Sequence, residues 1–190
     1  MILGSGSPRR ERILRDLGLD FLIDAPRIKE SVLPGEGPRE HVLRLALAKA
    51  RDVAARHERG TVLAADTIVW FDGRILGKPG GPEDARRVLR ETRGRWHEVY
   101  TGVASARASD GAEATGCEVT RVLMRDLSEE EVDLYVESGE PLDKAGSYAI
   151  QDCGSAVVTR VEGCFYNVVG LPVVRVCEIL ERMERAAARS

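Results

Sequence analysis

Asp66 interrupts an otherwise apolar run, with Val62-Leu63-Ala64-Ala65 before it and Ile68-Val69 after it. A carboxylate inside a buried strand is costly unless it is paired, hydrogen-bonded or bound to metal. The run therefore points either to a satisfied structural acid or to a metal ligand or general base at a strand end. Ser5-Gly6-Ser7-Pro8-Arg9-Arg10 places glycine before a helix start whose opening turn carries two arginines, with Arg12 just behind. Cations there oppose the helix dipole by about 0.3–1 kcal/mol each. A bound anion reverses that cost, because backbone N–H groups and guanidinium forks then meet one oxyanion. An isolated Arg-Arg pair is usually a solvated basic face, but the adjoining Gly-Ser turn and helix cap favour a phosphate cradle. Lys49 falls on one helical face with Val42, Leu45, Ala46 and Val53. A lysine there either snorkels, the commoner outcome, or meets a negative partner. Gly77-Lys78-Pro79 and Glu140-Pro141-Leu142-Asp143-Lys144-Ala145-Gly146 add charge on further loops. Polyphosphate hydrolysis needs this inventory: oxygen ligands for Mg²⁺ or Mn²⁺, cations for phosphate charge, and a base for water. Two well-known nucleotide templates are not met. The N-terminal segment lacks the third glycine of GxGxxG, and the stretch from Gly73 to Lys78 is one residue short of a P-loop, with Pro79 where Ser or Thr is required.

The elements that must position these residues alternate between helix and strand. A short strand over residues 1–3 leads through the Gly-Ser turn into a helix over 8–17, for which Ser7 is an apt N-cap and Pro8 an apt first residue. A Pro/Gly loop precedes a helix over about 39–57. Residues 61–71 read as a buried strand that Asp72-Gly73 turns into a hairpin through Arg74-Ile75-Leu76. A helix over 82–93 follows, then strands over 96–107 and 117–125, then a helix opened by the capping box Ser128-Glu129-Glu130-Glu131. Residues 139–172 suggest two short strands, one of them ending at Gln151. The last helix carries Val173, Val176, Cys177, Leu180 and Met183 at helical spacing. The pattern is that of one mixed α/β domain over residues 1–190, with helices flanking a mixed sheet and two lobes around a cleft. Composition agrees: 43% hydrophobic and 31% charged residues in 190 suit an ordinary globular chain. A net charge of −3 excludes a general attraction for nucleic acid. Four cysteines without a CxxC pair, no signal-peptide stretch and no run of transmembrane length read as a cytoplasmic protein with reduced thiols.

Taken in order, Ser5-Gly6-Ser7-Pro8-Arg9-Arg10, Ala65-Asp66-Thr67, Gly77-Lys78-Pro79, Val99-Tyr100-Thr101-Gly102-Val103, Ser138-Gly139-Glu140-Pro141-Leu142-Asp143-Lys144-Ala145-Gly146 and Asn167-Val168-Val169-Gly170-Leu171-Pro172 resemble the Maf family of nucleoside triphosphate pyrophosphatases. The resemblance implies a fold similar to inosine triphosphate pyrophosphatases and hydrolysis at the α-phosphate, giving a monophosphate and pyrophosphate. It implies a divalent metal, Mg²⁺ or Mn²⁺, held by Glu30 and Asp66, with Asp66 also the base that activates water. Ser7, Arg10, Lys49 and Lys78 would hold phosphates, and Asp143 and Lys144 would lie in the cleft. At three positions the chain follows the branch acting on dTTP and UTP, with Arg9, Thr67 and Gln151; the 7-methyl-GTP branch resembles Ser-Pro-Trp-Arg, Ser-Asp-Gln and Ser-Glu-Gly there. An amide at Gln151 offers a donor and an acceptor to a pyrimidine edge. The alternatives are a 7-methyl-GTP or modified-nucleotide pyrophosphatase, or a non-catalytic nucleotide-sensing regulator of cell division. A homodimer is a further implication. The chain departs from the family in reading Arg27-Ile28-Lys29 where an acidic cluster usually precedes Glu30, and Asp152-Cys153 in place of a glycine-containing pair after Gln151.

Overall fold

The computed structural model describes residues 1–188. Its strands are β1 (Ile2–Leu3), β2 (Leu22–Ile23), β3 (Thr61–Phe71), β4 (Arg74–Leu76), β5 (Trp96–Arg107), β6 (Glu113–Met124) and β7 (Val158–Glu162). Its helices are α1 (Pro8–Asp16), α2 (Pro38–Ala54), α3 (Pro82–Thr92), α4 (Glu129–Glu137), α5 (Phe165–Val169) and α6 (Val173–Ala187). The strands form one seven-stranded sheet in the order β2-β1-β3-β5-β6-β7, with β4 hairpinned onto β3. β1 runs parallel to both β2 and β3, whereas the β3–β4 and β6–β7 pairs are antiparallel, so the sheet is mixed, as the alternating pattern predicts. The chain divides into two compact units. The first comprises Met1–Thr67, Thr101–Glu118 and the segment from Gly170 onward, and the second Ile68–Tyr100 and Val119–Val169. No helix among the described residues is long and apolar enough to cross a membrane.

In the first unit, small side chains line the contact between α2 and the sheet. Ala46, Ala50, Val53 and Ala54 of α2 cluster with Val62, Ala64, Ala104 and Ala106 of β3 and β5. This lets helix and sheet approach closely, and at Gly102 the approach is limiting: a Cβ there would lie 2.2 Å from the Val42 carbonyl oxygen of α2. Residues 24–37, which connect β2 to α2, are tied to α2 at both ends. At one end Asp52 accepts the Arg27 N–H at 2.9 Å, while Arg56 bonds Asp24 at 2.8 Å and the Ala25 carbonyl at 2.9 Å. At the other end the buried Glu36 carboxylate meets Arg44 Nη2 at 2.7 Å and His41 Nδ1 at 2.9 Å, and Arg44 also bonds the Ser31 carbonyl at 2.9 Å. Glu30 lies between these two anchors.

The second unit has an apolar core in which Val69, Phe71, Leu76, Val88 and Leu89 cluster with Val99, Val122, Met124, Val132 and Tyr135. The hairpin turn forms as read: Asp72 (φ 47°) and Gly73 (φ 76°) both take the left-handed conformation that a two-residue turn requires. The capping box at Ser128 also forms, with both reciprocal bonds present.

Four details differ from the sequence reading. Residues 139–172 hold one strand, β7, instead of two. The remainder of that stretch winds through three 3₁₀ turns and α5, and Gln151 ends no strand. Left-handed residues at Gly139, Gly146, Ser147 and Asp152 break any strand periodicity there. The two-residue β2, too short to carry a pattern, adds to β1. On α6 the buried face runs through Val176, Ile179 and Met183, so Cys177 faces solvent. Ser7 occupies the N-cap of α1, but its hydroxyl makes no capping bond.

Two outcomes test this packing. Gly102→Ala should destabilise the protein by about 1–3 kcal/mol, since backbone must shift to admit one methyl group; an unchanged urea midpoint would contradict the close approach. Glu36 is held down to about 2 from its ordinary 4.5, first by the Arg44 hydrogen bond and against the opposing effect of burial. A depressed carboxyl pKa stabilises fully above the ordinary value, and that stabilisation is lost as pH falls toward 2. Urea midpoints measured from pH 6 to pH 2 should therefore fall less steeply in Glu36→Gln than in the wild type. Parallel curves would remove Glu36 from the acid limb.

Candidate active site

Asp66 sits in β3 after four residues, Val62 to Ala65, that are fully shielded from solvent. Its own exposure is 5%, equal to that of Lys49 on α2. The lysine does not snorkel. Its Nζ donates to Asp66 Oδ1 at 2.7 Å and pairs with Glu30 Oε1 at 2.9 Å. One ammonium thus joins a buried carboxylate to a half-exposed one on the anchored 24–37 connection. The other Asp66 oxygen, Oδ2, is buried and has no hydrogen-bond partner among the described residues. Leaving a buried acceptor unsatisfied costs about 1–3 kcal/mol, more when it is charged, so native structures rarely keep one without a use for it.

Arg10 does not bond the Asp66 carboxylate. Its guanidinium takes main-chain and hydroxyl partners on either side of that residue: Nη1 donates to the Ala65 carbonyl at 2.8 Å and to Ser5 Oγ at 3.4 Å, and Nη2 to Thr67 Oγ1 at 3.1 Å. Nε donates to the Gly170 carbonyl at 2.9 Å. Four of its five N–H donors are engaged in this way. Burial pulls the Arg10 pKa below its ordinary value, and the neighbouring Asp66 charge opposes that shift. Thr67 Oγ1 also shares a hydrogen bond with Thr101 Oγ1 at 2.9 Å. Gly170, at φ 116°, takes a backbone conformation suited to glycine; a Cβ there would lie 3.4 Å from Thr67 Oγ1.

At the start of α1, the buried Ser5 hydroxyl accepts the Ser7 N–H at 3.1 Å. No side chain caps the helix; Pro8 carries no N–H and the Glu11 N–H bonds the Ser7 carbonyl at 3.2 Å, which leaves the N–H groups of Arg9 and Arg10 as the open donors of its first turn. Arg9 is half-buried and forms no ion pair among the described residues. Ser7, Arg9, Arg10, Glu30, Lys49, Asp66 and Thr67 all belong to the first unit, and within it Glu30, Lys49 and Asp66 form one contact group while Arg10 and Thr67 form another around the same strand.

Lys78, Asp143, Lys144 and Gln151 belong to the second unit. Lys78 is exposed in the loop after β4 and forms no ion pair among the described residues. Lys144 is ion-paired with Asp143 and also donates to the Glu140 carbonyl at 3.4 Å. Gln151 is half-buried, and its amide makes no hydrogen bond among the described residues. Sequence reasoning did not single out Glu36, Arg44, Tyr135 or the side chain of Glu140 as anchors. Their partners lie in other segments at no regular spacing. Thr101, the partner of Thr67, does fall within the Val99–Val103 motif.

A family model described as Maf-like protein matches residues 1–183. Among curated relatives, a dTTP/UTP pyrophosphatase of Moorella thermoacetica is 49% identical over 180 residues, covering 95% of this chain and 93% of that protein. A dTTP/UTP pyrophosphatase of Dictyoglomus thermophilum is 42% identical over 187 residues, covering 96% and 95%. One of Bacillus mycoides is 46% identical over 184 residues, covering 97% and 95%. The match runs through the Asp66 strand, the Arg10 turn and the loops of the second unit alike: this chain belongs to the Maf-like protein family.

Proposed function

We propose that this protein is an enzyme that hydrolyses nucleoside triphosphates, dTTP and UTP in particular, to the monophosphate and pyrophosphate. The observation that carries this reading is the Asp66 carboxylate, with one oxygen neutralised by Lys49 and the other buried without a partner. Such an oxygen suits a general base: Oδ2 takes a proton from water as that water attacks the α-phosphorus and pyrophosphate leaves. The bond from Lys49 to Oδ1 orients the carboxylate. Arg10, gripping the backbone at Ala65 and Thr67, holds the stretch of β3 on which the base sits. Ser7, Arg9 and the open first turn of α1 are assigned to phosphate, where uncapped N–H groups and a free guanidinium complement negative charge. Lys78, Asp143, Lys144 and Gln151 are assigned to substrate by motif alone, and the names of the relatives favour a thymine or uracil base over 7-methylguanine.

The donor set also fits a divalent cation. Among the described residues no three His, Cys, Asp or Glu side chains converge, but Mg²⁺ is commonly bound by one or two carboxylates together with substrate phosphates. Glu30 and Asp66, two carboxylates brought together on the Lys49 ammonium, would hold it. When bound, Mg²⁺ or Mn²⁺ would supply charge neutralisation for the phosphates and raise the acidity of water. A homodimer and a cytoplasmic location complete the proposal.

Pyrophosphate release from dTTP and UTP with Mg²⁺ or Mn²⁺ tests the reading directly. Asp66→Asn should lower kcat by about 10²–10⁴-fold in a protein that still folds, with a lowered melting temperature because Lys49 loses its buried counter-charge; a fully active Asn variant would end the assignment of Asp66 as base. Glu30→Gln should raise the Mg²⁺ concentration for half-maximal rate by roughly tenfold or more. An identical metal titration curve would exclude Glu30 from the metal site.

A further inference from the structure

Gln151 lies between two 3₁₀ turns, Ala145–Ser147 and Asp152–Val157, and two residues near it, Ser147 (φ 58°) and Asp152 (φ 55°), hold left-handed conformations without being glycine. Such residues persist only where surrounding contacts over-determine the backbone. The contacts here converge on one carboxylate. Glu140 Oε2 accepts the Cys153 N–H at 3.0 Å, and Oε1 accepts the Gly154 N–H at 2.9 Å and the Tyr135 hydroxyl at 3.0 Å. The same hydroxyl oxygen accepts the Ala149 N–H at 3.1 Å. Backbone on both sides of Gln151 is therefore tied to a single Glu140–Tyr135 couple. The fit is tight: a Cβ on Gly154 would lie 2.2 Å from the Ala149 carbonyl oxygen and 2.7 Å from the Tyr135 hydroxyl. Further back the loop is pinned again. Tyr148 hydrogen-bonds the buried His97 at 2.7 Å, and the Gly146 N–H bonds the Gly77 carbonyl at 3.1 Å.

We infer that Glu140, with Tyr135, is a positioning residue for base recognition: its carboxylate fixes the backbone around Gln151 so that the amide faces the pyrimidine edge already oriented. This inference rests on the reading that Gln151 contacts the base. An ionised carboxylate is required because three donors approach it and none of its oxygens can be replaced by an N–H group. Glu140 itself touches neither substrate nor reacting atoms. Its loss should therefore be felt in affinity for the nucleoside part and not in affinity for the triphosphate.

The test compares Glu140→Gln, Tyr135→Phe, Gln151→Ala and the Glu140→Gln/Gln151→Ala double variant. Glu140→Gln should raise KM for dTTP about tenfold while leaving inhibition by inorganic tripolyphosphate, a competitor without a base, within about twofold. Tyr135→Phe keeps the buried ring and should shift KM the same way by a smaller factor. In the Gln151→Ala background, Glu140→Gln should add nothing further, since the two act as one unit. Amide hydrogen exchange at residues 149, 153 and 154 should accelerate in both Glu140→Gln and Tyr135→Phe, whatever the substrate. Equal losses for dTTP and tripolyphosphate, or an additive double variant, would overturn the positioning role and leave Glu140 a stability residue. Unchanged exchange would overturn the clamp itself. An unchanged KM in Gln151→Ala would instead defeat the underlying reading of Gln151, and the exchange data would still report on the clamp.

Discussion

A lysine ammonium in the apolar stripe of a helix is tolerable only if a carboxylate stands opposite it, and the carboxylate in β3 is tolerable only for the same reason. The Lys49–Asp66 pair therefore constrains the first unit more than any apolar contact does. At 2.7 Å it ties α2 to β3 through one direct bond. The small residues of the α2 interface and the missing side chain at Gly102 allow the helix to approach closely enough for it. Buried ion pairs are weak contributors to net stability, since desolvation consumes most of the attraction. A hydrophobic pair would fill the same space at less cost. On the proposed reading, the charges kept here and the carboxylate oxygen left without a partner among the described residues serve chemistry and not folding.

Two adjacent arginines show how local geometry separates like residues. Arg10 turns inward and uses its guanidinium as a fork for main-chain carbonyls, so that α1, the middle of β3 and the Gly170 turn are joined by one side chain. Arg9, one residue earlier on the same helix, stays half-buried and forms no ion pair with a carboxylate among the described residues. The first supports the strand that carries the acid. The second keeps its charge uncommitted. A cation with no internal counter-ion at an uncapped helix start is the simplest arrangement for meeting an anion from outside.

Much of this could be read from the chain itself, because the informative residues violate their local pattern. Asp66 breaks a strand, Lys49 breaks an apolar helical face, and the Asp72-Gly73 turn and the Ser128 capping box are local signals that need no tertiary partner. What escaped detection depends on partners far along the chain. Glu36 looks like an ordinary residue in a Pro/Gly loop until Arg44 and His41 enclose it. Glu140 reads as a surface acid before a proline, although its carboxylate receives N–H groups from 13 and 14 residues away. The misread 139–172 stretch has the same origin. Its shape is set by left-handed residues and by side-chain acceptors, neither of which leaves a period in the sequence. On α6 the spacing admitted either Cys177 or Ile179 beside Val176, and the larger apolar side chain took the buried position.

The Arg27-Ile28-Lys29 stretch places no acid immediately before Glu30. Arg27 contributes its backbone N–H to Asp52, and so helps to anchor the connection that carries Glu30. Glu30 is then the one carboxylate of that segment in contact with the Lys49–Asp66 pair. Two carboxylates and one ammonium carry a net charge of −1, and the ammonium competes with any dication for the same oxygens. A trio of that charge is poorly matched to holding a bare divalent ion and better matched to receiving one already neutralised in part by phosphate oxygens. On the proposed reading, the cation and the triphosphate tail therefore arrive as one ligand. The positive charge on α1 then serves the phosphates, and the unpartnered Asp66 oxygen becomes satisfied only when that ligand is in place.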